Sequence, residues 1–197
     1  MDRLINALGF QAGWWACVAG VASGYEVPAL AFCGALALAH LYTSAQPAQE
    51  ARLAGASLAL GIPLDTLLQQ FSVIDFHGLA IGPLSPLWLW MLWVLFALTL
   101  NSSLAFLQGR HWALSAALGL VFGPLAYAGG AALGAASFDG APGHLAALAA
   151  AWMLALPALV RLARRERRAQ EAPREDGAPA PLTPTRWSRA AWSSRRR

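Results

Sequence analysis

The chain alternates between long apolar runs and short polar breaks. Asp, Glu, Lys and Arg are absent from residues 4–25, 27–49, 76–109, 111–138 and 140–160. A bilayer core about 30 Å thick requires about 20 predominantly apolar residues per helix, so each run is long enough for one crossing. Trimming the turn-forming ends predicts transmembrane helices over 4–24, 27–44, 87–108, 112–136 and 143–162.

A further apolar segment over residues 53–73 is interrupted by Asp65 and contains Pro63, Gln69 and Gln70. An aspartate near a helix centre costs about 2.5–3.5 kcal/mol on insertion, and each surrounding leucine offsets a few tenths. Insertion is therefore favourable enough to predict a sixth helix here. The predicted fold class is all-α, a polytopic transmembrane bundle of six helices, with five helices as the alternative.

The placement of charge favours six helices with both termini in the cytoplasm. In that topology the inside segments contain Arg3, Arg52 and Arg110, and the outside loops contain acidic residues but no arginine. Every loop then obeys the rule that positive charge stays on the cytoplasmic side. A five-helix chain with the same C-terminal orientation would place Arg3 outside.

Composition separates this bundle from a basic tail. The chain is 57% hydrophobic and only 12% charged, against about 25% charged in soluble domains, which excludes a soluble enzyme. Residues 161–197 hold eleven arginines and four acidic residues, whereas residues 1–160 hold three and six. We therefore divide the chain into a bundle over 1–162 and an Arg/Pro-rich cytoplasmic tail over 163–197. Residues 161–171 are expected to continue the last helix towards anionic headgroups, and the remainder to be disordered.

This tail does not indicate a nucleic-acid partner, because proximity to the membrane already accounts for its arginines. The expected partners are membrane lipids.

Two helices carry glycines at the same spacing. At 100° per residue each set falls on one helix face, and small residues allow helices to approach closely in lipid. Packing inside the bundle is the preferred interpretation, and a homodimer or membrane-protein partner bound through these faces is the alternative. The glycines are Gly9, Gly13, Gly20, Gly24, Gly119, Gly123, Gly130 and Gly134.

Tryptophans cluster at the expected helix ends. Trp88, Trp90 and Trp93 fall at the outer end of the fourth helix, and Trp112 begins the fifth. Amphipathic rings favour the headgroup level, so the pattern predicts interfacial anchors.

Ionisable groups within a membrane are costly, and Asp65 is therefore the strongest functional candidate. Its position predicts a depth in the outer half of the bilayer, and Tyr127 falls at a comparable depth. We predict a hydrogen bond between Tyr127 and Asp65. His40 and Asn101 are expected near the inner surface as a donor–acceptor pair, which completes a candidate polar pocket. The alternative for all four residues is hydrogen bonding that only fastens helices together.

Signals of catalysis or cofactor binding are missing from the sequence. His77, His111 and His144 fall in different loops, and no metal-binding spacing, nucleophile elbow, phosphate loop or dinucleotide fingerprint occurs. Cys17 and Cys33 fall inside predicted helices, where a free cysteine behaves as a small hydrophobic residue. We expect no catalytic residue, no metal and no cofactor.

Two segments carry a resemblance to a known family. They read PLWLWMLWVLFALTLNSSLAFL at residues 86–107 and GLVFGPLAYAGGAALGA at residues 119–135. The patterns PLWxxxLWxxFAxTLNxSL and GPLAYxxGxxLGA within them are similar to an uncharacterised family of bacterial multi-pass inner-membrane proteins, a domain of unknown function. The resemblance covers about residues 5–160 and implies a bacterial inner-membrane location. Similar proteins are often encoded near lipid-modifying enzymes, which implies a setting in membrane-lipid metabolism or envelope homeostasis.

Three functional classes follow from these observations. The first is a non-catalytic accessory protein in membrane-lipid metabolism or envelope homeostasis. The second is a small carrier for a lipid or amphiphile that uses the polar pocket around Asp65. The third is an intramembrane enzyme, for which the sequence offers no acid–base pair.

Overall fold

The computed structural model describes residues 3–171, and these residues form a bundle of six α-helices. The prediction of an all-α helical bundle is therefore confirmed. The helices are α1 (Arg3–Ala22), α2 (Glu26–Thr43), α3 (Pro47–Gln70), α4 (Leu87–Leu100), α5 (Trp112–Ala132) and α6 (Pro142–Glu171).

Five of these helices are long and apolar enough to cross a membrane, and α4 is shorter. Large apolar side chains are exposed along the bundle, among them Leu8, Trp15, Leu38, Phe122 and Leu154. Such a surface is expected where a protein meets lipid rather than water. The chain is thus a multi-pass membrane protein.

Helix α4 is the centre of the bundle and packs against α1, α2, α3 and α6. The prediction that this helix continues to residue 108 is wrong, because α4 ends at Leu100 and residues 105–109 form a 3₁₀ turn. Asn101, Ser102 and Ser103 follow directly, and such side chains compete with helical hydrogen bonding. The fourteen residues of α4 span about 21 Å.

The short α4 still reaches both ends of the bundle. Near its start, the backbone N–H of Ser85 donates to Thr66 Oγ1 of α3 (3.0 Å). Near its end, Asn6 Nδ2 of α1 donates to the Leu98 carbonyl (3.2 Å), and Gln108 Nε2 donates to the Leu100 carbonyl (2.8 Å). These side chains satisfy carbonyls that a helix end leaves without partners.

A two-stranded antiparallel ladder, which the sequence analysis did not predict, joins the α3–α4 and α5–α6 loops. Strand β1 (Asp75–Phe76) pairs with β2 (Ala136–Ser137). His77 strengthens the junction, since its ring nitrogens lie 3.1 Å from the Gly134 carbonyl and 3.0 Å from Ser137 Oγ. We call this end of the bundle the sheet end, and the opposite end, where α1 begins, the terminal end.

Helix α6 begins beside a side-chain cap at the sheet end. The Asp139 carboxylate accepts the backbone N–H of Ala141 (2.9 Å) and lies 2.8 Å from His144 Nδ1. These contacts, the first above all, hold the pKa of Asp139 below its usual value. At the other end, α6 continues through the arginine-rich segment to Glu171, as expected. The predicted disordered part of the tail, from residue 172 onwards, lies outside the described residues.

Several of the predicted glycines lie at close helix contacts inside the bundle. A Cβ at Gly119 or Gly123 would overlap Trp152 of α6, and one at Gly13 would overlap the side chain of Leu95. A Cβ at Gly20 would likewise overlap the side chain of Ala29 on α2. The internal-packing interpretation therefore describes these four positions.

The remaining predicted glycines do not act in this way. Gly9 has open space around it, and Gly24 has a positive φ of 76° in the turn after α1. Gly134 likewise has a φ of 93°, which only glycine adopts readily, and Gly130 makes an ordinary contact with Val18. The expectation that all eight glycines pack helices is wrong for Gly9 and Gly24.

Gly61 of α3, which the sequence analysis did not single out, makes the tightest approach to a ring. A Cβ there would overlap the indole of Trp93, whereas Gly55 on the same helix has open space. We expect Gly61→Ala to lower the free energy of unfolding by about 1–3 kcal/mol, because the ring has to move. Gly55→Ala is the matched control and should be neutral or stabilising by up to about 1 kcal/mol. Thermal and denaturant unfolding of both variants in detergent measure the difference, and equal stabilities would contradict the contact.

The predicted topology places the sheet end outside the cytoplasm. Ala80 at the sheet end and Ala45 in the α2–α3 turn are both exposed, while the two native cysteines are fully buried. In sealed right-side-out vesicles, an impermeant maleimide should label Ala80→Cys at once and Ala45→Cys only after permeabilisation. The reverse order would show that the bundle is inserted the other way round.

Candidate functional site

Asp65 lies at the middle of the bundle with its carboxylate completely buried. The Tyr127 hydroxyl of α5 donates to Oδ1 (2.5 Å), and the Trp93 indole N–H of α4 donates to Oδ2 (2.7 Å). The predicted hydrogen bond between Tyr127 and Asp65 is confirmed. Both carboxylate oxygens are occupied, and three helices meet at this one side chain.

Neutral donors alone hold the carboxylate. Ion pairs join His40 to Glu50, Arg52 to Glu166 and His144 to Asp139, and no ion pair among the described residues is shown at Asp65. Removing a carboxylate from water is costly unless its oxygens accept hydrogen bonds. The hydrogen bonds from the Tyr127 O–H and the Trp93 N–H therefore offset part of the free-energy cost of burying the Asp65 carboxylate.

The prediction that Trp93 is an interfacial anchor is wrong, because its side chain is buried within the bundle. Its ring stacks on Trp152 of α6, with centroids 4.9 Å apart and planes within 4°. Trp88, also expected at the interface, is buried and donates its indole N–H to the His77 carbonyl (2.8 Å). Trp112 is exposed at the start of α5, and its role as an interfacial anchor stays a prediction.

An apolar cavity of about 80 Å³ lies against the ring side of Trp93 and Tyr127. Asp65 does not line it, whereas Tyr127 and Trp93, which donate to its carboxylate, do. The walls come from α1, α4, α5, α6 and the strand pair. Besides Trp93 and Tyr127, six lining side chains are aromatic: Phe10, Trp14, Phe76, Trp88, Phe96 and Trp152.

The cavity adjoins a groove of about 380 Å³ between α1 and α5. Phe10, Trp14, Phe96, Ala126 and Trp152 line both spaces, so the two are neighbours. The outer part of the groove is lined by exposed side chains of α5, including Phe122 and Leu125. The cavity therefore lies beside an apolar groove on the lipid-facing surface of the bundle.

His40 and Asn101 lie elsewhere, at the terminal end of the bundle. Both contact Glu50 of α3: His40 Nε2 is 4.0 Å from Oε1, and Asn101 Nδ2 donates to Oε2 (3.4 Å). Fifteen residues of helix separate Glu50 from Asp65, a distance of about 22 Å. The single polar pocket that the sequence suggested is thus two separate clusters, one containing Asp65 and Tyr127 and the other His40 and Asn101.

Glu26 is a further buried carboxylate. Its Oε2 accepts the backbone N–H of Leu79 in the α3–α4 loop (2.7 Å), and only 7% of the residue is exposed. Gly78 adopts a φ of 113° and leaves room for the carboxylate, since a Cβ there would come within 2.8 Å of Oε2. Glu26 therefore fastens the loop over the sheet end of α2.

A family model described as a protein of unknown function, DUF2878, matches residues 3–158. The chain belongs to the DUF2878 family. The match spans α1 to α5 and the first half of α6, so both polar clusters and the aromatic cavity lie within the family domain, apart from side chains on the later turns of α6. No curated protein and no solved structure matches the chain.

Substitution of Asp65 measures its contribution to the fold. Asp65→Leu leaves the Tyr127 hydroxyl and the Trp93 N–H without an acceptor, at about 1–3 kcal/mol for each buried donor. Asp65→Asn keeps one acceptor and should be destabilised less. Unfolding in detergent, followed by tryptophan fluorescence, should rank the wild type above Asp65→Asn and Asp65→Leu last.

The matched control is Asp75→Asn, because Asp75 is exposed at the sheet end. It should unfold like the wild type. An Asp65→Leu protein that is as stable as this control would contradict the role assigned to the two hydrogen bonds.

Proposed function

We propose that this membrane protein binds the hydrocarbon chain of a membrane amphiphile in the aromatic cavity and the adjoining groove. The observation that carries the proposal is the adjacency of the two spaces, which share Phe10, Trp14, Phe96, Ala126 and Trp152 as lining residues. In this role the protein is a non-catalytic accessory in membrane-lipid metabolism or envelope homeostasis, located in the bacterial inner membrane.

The chemistry of the lining favours a hydrocarbon occupant. Apolar cavities in proteins stay dry and accept apolar guests, because a water molecule needs two or more polar partners. The groove is also mostly apolar, with Phe122, Leu125 and Leu156 in its lining and Gln11 as a polar side chain. A chain that leaves the bilayer for this groove exchanges one apolar surrounding for another and gains contact with aromatic faces.

In this proposal Asp65 positions the cavity wall and does not touch the ligand. Its two hydrogen bonds fix the rotation of Tyr127 and Trp93, and the Trp93 ring in turn stacks on Trp152. Loss of Asp65 would free these rings to turn into the cavity. Ligand binding should therefore depend on Asp65 through the shape of the wall.

A carrier for a lipid or amphiphile is the second candidate, and the lateral position of the groove favours it. Helix α1 packs against α2 and α4, and α5 packs against α6, so the groove lies between two neighbouring groups of helices that meet where α4 contacts α6. An amphiphile could enter from the side while its polar end stays at the membrane surface. The carrier differs from the accessory in that it moves its cargo between leaflets.

Photolabelling with a phospholipid that carries a diazirine on its acyl chain tests the binding proposal. In nanodiscs, the wild type should be labelled on peptides that contain Phe10, Trp14 or Phe122. Ala126→Phe places a ring in both spaces and should reduce this labelling to the level of the other lipid-facing surfaces. Mass spectrometry of the labelled peptides provides the measurement.

Ala117→Phe is the matched control, since Ala117 is exposed on the same helix and lines neither space. It should be labelled like the wild type. Labelling that is uniform over the lipid-facing surface, or unaffected by Ala126→Phe, would refute the cavity as a binding site. Transfer of a fluorescent lipid between leaflets in proteoliposomes separates the candidates, because only a carrier accelerates it.

A further inference from the structure

A second, polar cavity of about 370 Å³ opens at the terminal end of the bundle. It lies between the α2–α3 turn, the start of α3 and the segment that follows α4. Polar side chains dominate its lining: His40, Ser44, Gln46, Gln49, Glu50, Asn101, Ser102, Gln108 and Arg167. Its location on the α2–α3 side separates it from the groove between α1 and α5.

A hydrogen-bond relay fixes the orientation of His40 in this cavity. Asn6 Oδ1 accepts from the Ser103 hydroxyl (2.7 Å) and from its backbone N–H (3.3 Å), so the Asn6 amide nitrogen faces His40. That nitrogen donates to His40 Nδ1 (3.3 Å). The neutral imidazole therefore carries its proton on Nε2, which is directed towards Glu50.

The relay leaves a gap between His40 and Glu50. The distance from His40 Nε2 to Glu50 Oε1 is 4.0 Å, which is too long for a hydrogen bond. Two atoms at this separation can both bond to one oxygen placed between them, which accepts from the imidazole N–H and donates to the carboxylate. A ligand hydroxyl has the required donor and acceptor in a single group.

The floor of the cavity contains a buried acceptor without a donor among the described residues. Gln108 donates through Nε2 to the Leu100 carbonyl and to Asn101 Oδ1, which leaves its buried Oε1 without a donor among the described residues. Gln108 as a residue is only 2% exposed. A buried carbonyl without a donor is costly, so the floor suits a ligand that brings several O–H groups.

The mouth of the cavity, by contrast, carries a positively charged hydrogen-bond donor. Arg167 lines it from α6, within the arginine-rich segment that begins at Arg161. Guanidinium groups bind phosphate oxygens with two parallel N–H bonds and a full opposite charge. A ligand that fits both parts has hydroxyl groups at one end and a phosphate at the other.

We propose that this cavity binds a phosphorylated polyol, with its hydroxyls on His40, Glu50 and Gln108 and its phosphate at Arg167. Either a glycerophosphate headgroup of a membrane lipid or free glycerol phosphate has this chemistry. The inference is independent of the hydrocarbon site, because no residue lines both cavities.

Binding to the purified full-length chain in detergent tests the proposal with three probes. Dioctanoyl phosphatidylglycerol offers phosphate and hydroxyls, dioctanoyl phosphatidic acid offers the same chains and phosphate without the hydroxyls, and sn-glycerol 3-phosphate is the free form. The wild type should bind phosphatidylglycerol about tenfold more tightly than phosphatidic acid, as expected for hydrogen bonds to a charged group. Glu50→Gln should abolish this preference, and Arg167→Gln should weaken the binding of both lipids.

Each test variant has a matched control on the same surface. Glu166→Gln removes a carboxylate that pairs with Arg52 outside the cavity, and Arg161→Gln removes an arginine that lines a different space. Both controls should retain the preference for phosphatidylglycerol. Because Arg167 lies at the mouth, its variant should fold even if Glu50→Gln does not.

The outcomes separate the two sources of the ligand from a failure of the proposal. Tight binding of glycerol 3-phosphate that is lost in Glu50→Gln supports a free phosphorylated polyol, and binding of the lipid alone supports a headgroup. Equal affinities for phosphatidylglycerol and phosphatidic acid would overturn the proposal, as would unchanged binding in Arg167→Gln. The groove between α1 and α5 does not affect the comparison of the two lipids, because their acyl chains are identical.

Discussion

The rest of the bundle depends on how a single carboxylate is accommodated among apolar helices. Asp65 has a hydroxyl donor from α5 and an indole donor from α4, and both of its oxygens are occupied. Since these two bonds are directional, they fix the rotation of three helices about their axes. The Trp93 ring also stacks on Trp152, so the position of α6 depends on Asp65 indirectly, through this ring contact. The aromatic wall of the cavity is a consequence of this arrangement.

Glycines make the ring arrangement possible. In lipid the association of helices gains little from apolar burial, so close packing has to supply the stability. Gly61 leaves the space for Trp93, and Gly119 and Gly123 leave the space for Trp152. Small residues and large rings therefore occur in matched positions on neighbouring helices. The space beside these glycines is filled by side chains of the same chain. Regular glycine spacing alone therefore does not indicate a dimer.

Hydropathy was sufficient to predict the six helices, and counting residues for depth was sufficient to pair Tyr127 with Asp65. The inward direction of Trp93 could not be predicted, because α4 is apolar on every side and its sequence does not distinguish one face from another. Glu50 falls between the predicted helices 27–44 and 53–73, but α3 begins at Pro47, so the residue lies on the first turn of α3 and is buried. The β1–β2 pair is two residues long in each strand and shows no periodicity from which to infer it.

The fixed position of α4 determines where the bundle can accept a ligand without rearrangement. Its carbonyls accept hydrogen bonds from the side chains of Ser57, Asn6 and Gln108. A shift of α4 along its axis would therefore break several hydrogen bonds at once. Helix α1 is tied to it at the terminal end through Asn6, and at the sheet end α1 meets α5 through ordinary contacts at Gly130 and Gly134. The groove between α1 and α5 is therefore bordered at the sheet end by the contacts at Gly130 and Gly134. Asp65, Tyr127 and Trp93 do not line this groove, so the proposed entry of a hydrocarbon chain would not touch the hydrogen bonds at Asp65.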